Sequence, residues 1–424
     1  MEKLLFLGID TSTKHILQYA RSIGVYTIIS DKYPADSNPV KKLADENWQI
    51  DVTDLDKLES ACREKGVTGV YNGTHDICLD YVRLLSLRLF GEFYASDLAW
   101  ECSRDKLEFK KECTLAGLTV PKYYNLSGAS MNADQDNLVF PLVVKPVDSF
   151  ATQGVSICHD PEELKKGIGF ASKVSPKNKI VVEEYIDGDE YGVGFIFNQG
   201  EVSLIEFTRL YKYDVNHTNR IVLAKHSVDA DIRKEYLSTV HDKVLKLFRN
   251  IQAEKGGGFI QMIYRDHTFY MTEFGYRLDG VGSWMTRKLT SGFSTAEYLA
   301  NVVLHRDLSC FKDKIKELAA CTDYFGVEYF PAVRPGRIVR IEGLEAVKDM
   351  DRVEVILERF HMGDQVGISN SMYQIAYYLS IGASSAEETA RKIKEINETL
   401  HLYDEEGTEM LYKFEHYEMI KHNH

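Results

Sequence analysis

The 424-residue chain has no apolar run near the roughly 18 residues that a membrane span requires. Its opening stretch, MEKLLFLGID, is broken by Gly8 and Asp10 too early for a secretory signal. It has no excess of positive charge. The formal net charge is −13 and the isoelectric point about 5.5, poorly suited to coating a polyanion. The seven cysteines are scattered, with no C-x-x-C pair and no zinc spacing, as expected of reduced thiols in a cytosol. Without a secretory signal, Asn72-Gly-Thr and Asn216-His-Thr read as chance glycosylation matches. Repeats, low-complexity tracts and long linkers are missing too. These absences leave a cytoplasmic protein acting on small molecules, with no nucleic-acid and no membrane partner.

One more absence is informative. The first apolar strand, LLFLGI (4–9), leads into GIDTSTKH, with one glycine where a dinucleotide fingerprint has three. It lacks the Gly-Lys-Ser/Thr ending of a phosphate-binding P-loop as well. What survives is the general rule that ligands lie at the carboxyl ends of such strands.

With 44% hydrophobic residues the chain can build two to three domains. Residues 1–100 alternate strand and helix. Ser12 or Thr13 can cap a helix bearing Ile16, Leu17, Ala20 and Ile23. VYTIIS (25–30) and GVYN (69–72) read as further strands, and helices with Leu55, Leu58 and Cys62 on one face and running through Leu89 complete a doubly wound α/β unit. Residues 101–305 become hairpin-like and α+β, with a subdomain at about 125–190. Apolar strands PLVVKPV (141–147), KIVVEEYI (179–186), YGVGFIF (191–197) and EVSLIEF (201–207) precede one helix expected over about 231–251. The hairpin GFIQMIY/TFYMTEF (258–264, 268–274) turns at Arg265-Asp266-His267. Residues 306–424 read as a C-terminal α+β domain that closes one side of a cleft, with a capping box at Ser384 or Ser385 and Glu387 or Glu388.

Four features of the middle part suggest chemistry. Lys106 opens a helix that ends at Gly117. Lys145 lies inside an apolar strand, where an ammonium needs an anion. The loop DSFATQG (148–154) has small residues, among them Ser149, Thr152 and Gly154, that let backbone N–H groups approach a phosphate. In VVEEYIDGDEY (181–191) an apolar strand runs into carboxylates and a turn, where backbone groups can pair with an adenine edge.

In this order, and with YMTEFGYRLDGVGSW (270–284), these motifs resemble the ATP-grasp superfamily. The nearest branch is that of the carboxylate–amine ligases, which includes L-amino-acid ligases, biotin carboxylase and carbamoyl phosphate synthetase. The resemblance covers about residues 1–305, and the rest more loosely. It implies a doubly wound N-terminal domain, a central ATP-grasp fold with antiparallel sheets and a C-terminal α+β domain. Lys106 and Lys145 would contact ATP phosphates, with the 148–154 loop as a lid. Glu183, Glu184, Tyr185 and Ile186 would line the adenine pocket, the last two through main-chain hydrogen bonds, and Glu190 would bind ribose. Glu273 would ligate magnesium, or manganese in its place. Arg277, with Lys145, would stabilise the acyl phosphate and its transition state. The activity implied is amide or peptide bond formation, on an amino acid by analogy. A homodimer is a family-level expectation.

The chain departs from the pattern at the metal hairpin. The acidic position on its first strand is Gln261, and the Asn of the E-x-N on its second is Gly275. Asp279 or Asp266 could assist Glu273 and Gln261, or one metal could bind instead of two. These departures admit an ATP-binding protein with weak or no turnover, and a small-molecule kinase of the same fold is the other alternative. His226 and Lys225 read as rim residues. Arg209 and Arg220 flank a Tyr-rich stretch that is either substrate-facing or plain surface loop. The glycines of 278–284 could let backbone approach substrate beside Arg277.

Overall fold

A computed structural model describes residues 1–124, 138–148, 153–215, 219–226, 230–321, 325–368 and 372–421. Strands β1 (Lys3–Leu7), β2 (Tyr26–Ser30), β3 (Glu46–Trp48) and β4 (Gly69–Tyr71) form a parallel sheet in the order β3-β2-β1-β4. Helices α1 (Thr13–Ser22), α2 (Leu55–Lys65) and α3 (Asp76–Phe90) alternate with them. Leu4, Leu5, Phe6 and Leu7 are all buried, as a continuous apolar strand covered on both faces requires. β3, whose Glu-Asn-Trp carries no apolar signal, was not expected.

Asp10, rather than a cap, organises the turn after β1. Its Oδ1 accepts the Ser12 amide and the Ser12 and Thr13 hydroxyls, and its Oδ2 accepts the Gly73 and Thr74 amides beyond β4. Ser12 precedes α1 without capping it, because its hydroxyl is drawn to Asp10 and Tyr71. One carboxylate thus joins the carboxyl ends of two neighbouring strands, the edge that faces the rest of the molecule.

Helices α4 (Asp97–Arg104) and α5 (Lys106–Ala116) lead into a small antiparallel sheet of β5 (Tyr123–Tyr124), β6 (Leu142–Pro146), β7 (Ser156–Cys158) and β8 (Ile180–Glu184), ordered β5-β8-β6-β7, with α6 (Pro161–Val174) packed on it. Asp105 caps α5 and Gly117 ends it in the left-handed region at φ 85°.

The larger sheet starts with β9 (Asp189–Asn198), β10 (Glu201–Val215), β11 (Asn219–His226), β12 (Lys255–Arg265) and β13 (Thr268–Gly275). Asp266 and His267 both have positive φ, 48° and 58°, the conformation that a two-residue turn between twisted strands demands. The single helix expected over about 231–251 is two, α7 (Ala230–Thr239) and α8 (His241–Asn250), broken at Val240. After α9 (Ser283–Ser291), α10 (Thr295–Val303) and α11 (Lys312–Ala320), the chain returns to the same sheet. β14 (Phe325–Tyr329) pairs with β11. β15 (Ala332–Val333), β16 (Gly336–Arg337) and β17 (Arg340–Glu342) are short strands that precede helix α12 (Leu344–Lys348). β18 (Val353–Glu358), β19 (Gln365–Val366) and β20 (Tyr377–Ala383) follow, and helix α13 (Ala386–Thr399) begins at the expected capping box: Ser385 accepts from the Glu388 amide, and Glu388 accepts from the Ser384 amide.

The result is one eight-stranded antiparallel sheet, β13-β12-β9-β10-β11-β14-β20-β18, running across the boundary expected at 305/306. Among the described residues, no helix is long and apolar enough to cross a membrane.

Gly258 shows how closely the metal hairpin is built. A Cβ there would lie 2.7 Å from the carbonyl oxygen of Gly275 and 3.1 Å from the Phe274 ring. Because the nearest atom is backbone, Gly258→Ala should cost about 1–3 kcal/mol, read as a lowered urea midpoint.

Candidate active site

The inner face of β9, β10, β12 and β13 is laid out in rows. In one row Glu273 lies opposite Gln261, and Gln261 opposite Gly192. In the next, Gly275 lies opposite Phe259, Phe259 opposite Gly194, and Gly194 opposite Glu206. Where glycines interrupt these rows a cavity of about 370 Å³ opens, roofed by residues 277–281, Ser283, Thr74 and Asp76, and reaching Phe330 and Tyr378.

Cations surround this cavity, each held by a carboxylate. Arg277 grips Asp76 with both arms, Nε to Oδ1 at 2.6 Å and an Nη to Oδ2 at 3.0 Å, and donates to the Leu278 carbonyl at 2.8 Å. Asp76, in the first turn of α3, also receives Arg104 at 2.6 Å. The Arg104 guanidinium lies over the Trp100 ring and meets Asp80, whose carboxyl burial pushes up. Lys106 reaches Glu273 at 3.2 Å, and Lys212 pairs with Glu190.

A second cluster lies where α5 meets the small sheet. Glu183, buried in β8, takes Lys145 of β6 on Oε2 at 2.9 Å and Lys110 of α5 on Oε1 at 3.1 Å. Burial pushes the Glu183 carboxyl up, but the two ammoniums outweigh it and hold it below the ordinary value. Burial pushes the Lys110 ammonium down to about 8, against the pull of Glu183.

The expected site residues fall into groups. Glu190, Gln261, Glu273 and Arg277 all line the cavity. Lys106 touches it through Glu273, and its amide donates to the Val147 carbonyl, joining α5 to the end of β6. Ser149 and Thr152 lie outside the described residues. Gly154 has φ 76°, and a Cβ there would meet Pro146 at 2.7 Å, so glycine is required where the loop rejoins the sheet.

The residues expected around the base have these partners. Both oxygens of Glu183 are engaged by lysines. The Glu184 carboxylate accepts the Lys122 amide, and the Tyr185 amide donates to Pro141, which leaves that N–H unavailable to a base. Ile186 is buried. Asp279 lines the cavity, and its carboxylate takes the amides of Val281, Gly282 and Ser283 and the Ser283 hydroxyl at the start of α9. Asp266 is exposed at the hairpin turn, the far end from Glu273. Arg209 pairs with Asp189 at 2.8 Å. The side chains of Arg220, Lys225 and His226 are outside the described residues.

Reading motifs missed Lys110, Lys212, Asp76 and Phe259. Lys110 had a signal: it stands one helical turn after Lys106, on the same face of α5. Lys212 and Asp76 had none, since their partners come from distant segments.

The fit of a divalent cation rests on Glu273 and Gln261, one carboxylate and one amide oxygen side by side. The Lys106 ammonium on Glu273 stands where such a cation would neutralise it. These donors fit one oxygen-loving ion completed by water and phosphate oxygens. Among the described residues there is no group of three or more His, Cys, Asp or Glu that could hold a metal.

This arrangement, two antiparallel sheets with the cavity and its cations between a doubly wound domain and the larger sheet, is the ATP-grasp fold. The L-amino acid ligase from Bacillus licheniformis superposes with a TM-score of 0.77 at 18% identity, over 96% of this chain and 99% of that one. Biotin carboxylase from Campylobacter jejuni gives 0.76 at 15% identity, over 99% and 95%. Residues 113–275, from α5 through β13, match the family model described as D-ala D-ala ligase C-terminus. The D-alanine–D-alanine ligase of Trichlorobacter lovleyi is 29% identical over 152 residues, 35% of this chain and 47% of that protein. The carbamoyl phosphate synthase large chain of Clostridium perfringens is 23% identical over 402 residues, 93% of this chain and 35% of that protein. The chain thus spans about half the length of the first D-alanine–D-alanine ligases it matches.

Lys110 yields a pH test. Its folded value of about 8 lies below the ordinary 10.5, so between the two the unfolded chain holds more protons. The contribution of Lys110 therefore makes the fold more stable as pH rises through that window. In urea unfolding at about pH 8 and about pH 10, the native chain should gain stability relative to Lys110→Met. Parallel curves would refute a Lys110 ammonium pushed down by burial.

Proposed function

We propose that the protein is an ATP-dependent carboxylate–amine ligase, which activates a carboxylate as an acyl phosphate and joins it to an amine in an amide or peptide bond. The observation that carries this reading is the convergence of Lys212, Arg277 and Glu273 on one cavity, with Lys106 paired to Glu273 and a further Lys145–Glu183–Lys110 cluster where α5 meets the small sheet. Phosphoryl transfer to a carboxylate brings two anions together. It needs positioning and positive charge at the meeting point more than covalent help.

In this reading Lys106 and Lys145 hold the phosphates of ATP between the two sheets, near Gly154. Glu190 serves the ribose, and Glu184, Tyr185 and Ile186 border the base, the hydrogen bonds coming from main-chain groups other than the Tyr185 amide. Magnesium bound at Glu273 and Gln261 would supply charge neutralisation at the transferring phosphoryl group. Arg277, pre-set by Asp76, presents its planar fork to the carboxylate and then to the acyl phosphate. The amine attacks the acyl carbon, the carbon–oxygen bond to phosphate breaks, and phosphate leaves. The walls around the cavity keep water from the activated carbonyl.

An amino acid is the carboxylate we favour. Ligases of D-alanine and of L-amino acids are among the proteins the chain resembles, and the described cavity has the size of a small substrate. The protein acts on small molecules in the cytoplasm, and a homodimer accords with the family resemblance.

Phosphate release from magnesium-ATP should require an added amino acid, and hydroxylamine should trap the activated carboxylate. Arg277→Ala should lower the rate about 10²–10³-fold, the usual effect of removing one charge-stabilising group. Glu273→Gln should abolish release. A stable phosphate ester as product would instead assign a kinase.

A further inference from the structure

Phe259 and Gly275 face each other across β12 and β13, and both cross-strand partners of Phe259, Gly275 and Gly194, lack side chains. The phenyl ring leans over the first. A Cβ at Gly275 would lie 2.5 Å from its Cζ and 2.6 Å from one Cε. The ring also supports Arg277, whose guanidinium carbon is 5.2 Å from the ring centre. The ring therefore occupies the space beside Glu273 that a polar side chain from position 275 would need, and puts hydrocarbon where a cation would want oxygen.

We propose that this site holds a single divalent cation, on Glu273 and Gln261 with nucleotide oxygens, and that Phe259 excludes a second. The inference rests on the nucleotide-binding reading above. Divalent ions of this kind take oxygen ligands, and paired ions lie about 3.5–4 Å apart with carboxylates shared or flanking. The hairpin face provides one carboxylate. Asp279 is spent on four donors of its own loop. Asp76 is gripped by two guanidiniums, Glu190 is paired with Lys212, and Glu206, beyond Gly194 in the same row as Phe259, faces the buried Arg287 at 4.0 Å. The charge that a second ion would bring comes from Arg277 and Lys212, which line the same cavity. Phe259 thus has two tasks: it closes the second ion position and orients the arginine that stands in for it.

The test is a count of bound manganese on the full chain, using manganous chloride with a non-hydrolysable imido analogue of ATP. Free ion is read by electron paramagnetic resonance and bound nucleotide by absorbance after separation. The expected result is one ion per bound nucleotide, lost in Glu273→Gln while nucleotide is still bound. Two ions per nucleotide in the native chain would overturn the proposal, as would an ion retained in Glu273→Gln. The combined variant Phe259→Leu, Gly275→Asn, Gln261→Glu should gain the second ion. A variant that binds nucleotide but stays at one ion would overturn the role of Phe259. A native chain that binds no nucleotide at all would overturn the ligase reading itself, a result distinct from a count of two.

Discussion

Asp76, Glu183, Glu190 and Glu273 each hold at least one cation in place, and the architecture of the site follows from that. A lysine or arginine set among apolar residues, with no counter-ion, would either shed its proton or pull the fold open. Matched to a carboxylate, it can wait in a partly dry cavity until a phosphate arrives. The pairing sets geometry as well as charge. Arg277 is gripped by two oxygens of Asp76, so its fork is aimed before any substrate enters, and less has to be ordered when it does.

These pairs also connect separate parts of the molecule, alongside the hydrophobic cluster and the other ion pairs that join them. Asp76 starts a helix of the first sheet's domain, while Arg277 follows the last strand of the metal hairpin. Glu183 belongs to the small sheet, while Lys110 belongs to the helix that packs on the large one. A nucleotide phosphate that draws Lys106 from Glu273, or Lys145 from Glu183, changes the balance of charge across one of these joints. On the proposed function, these ion pairs would couple nucleotide binding to the placement of the sheets. The buried triad is the stiffest of them, since Lys110 has no exposed surface and little freedom to follow a ligand.

Much of this was legible in the sequence because it is local. Alternating apolar runs and helices gave away the doubly wound unit, and the hairpin and the capping box of α13 were visible as short patterns. Lys145 stood out because an ammonium conflicts with the apolar strand around it, while Lys106, Glu273 and Arg277 were picked out by the order of motifs in the family resemblance. What was hidden is pairing at a distance. Nothing near Asp76 announces that an arginine 201 residues away will lie on it. Glu183 looked like part of a base pocket because the resemblance places it there, and only its two lysines reveal its other task. The continuous eight-stranded sheet was also out of reach. β14, β18 and β20 look like any edge or core strands, and the sequence does not say which sheet they extend.

The metal hairpin shows how a departure from a family pattern should be weighed. Taken one position at a time, Gln261 and Gly275 look like losses, a charge gone and a ligand gone. Read with Phe259, the glycine looks like an accommodation. The ring fits only if position 275 has no side chain, and the same ring supports the arginine beside it. Restoring asparagine alone would drive its Cβ into the phenyl group, so Gly275→Asn by itself should do harm where the substitution paired with a smaller residue at 259 does not. Positions 259, 275 and 277 therefore form one unit, and the absence of a side chain in its middle is part of how it works.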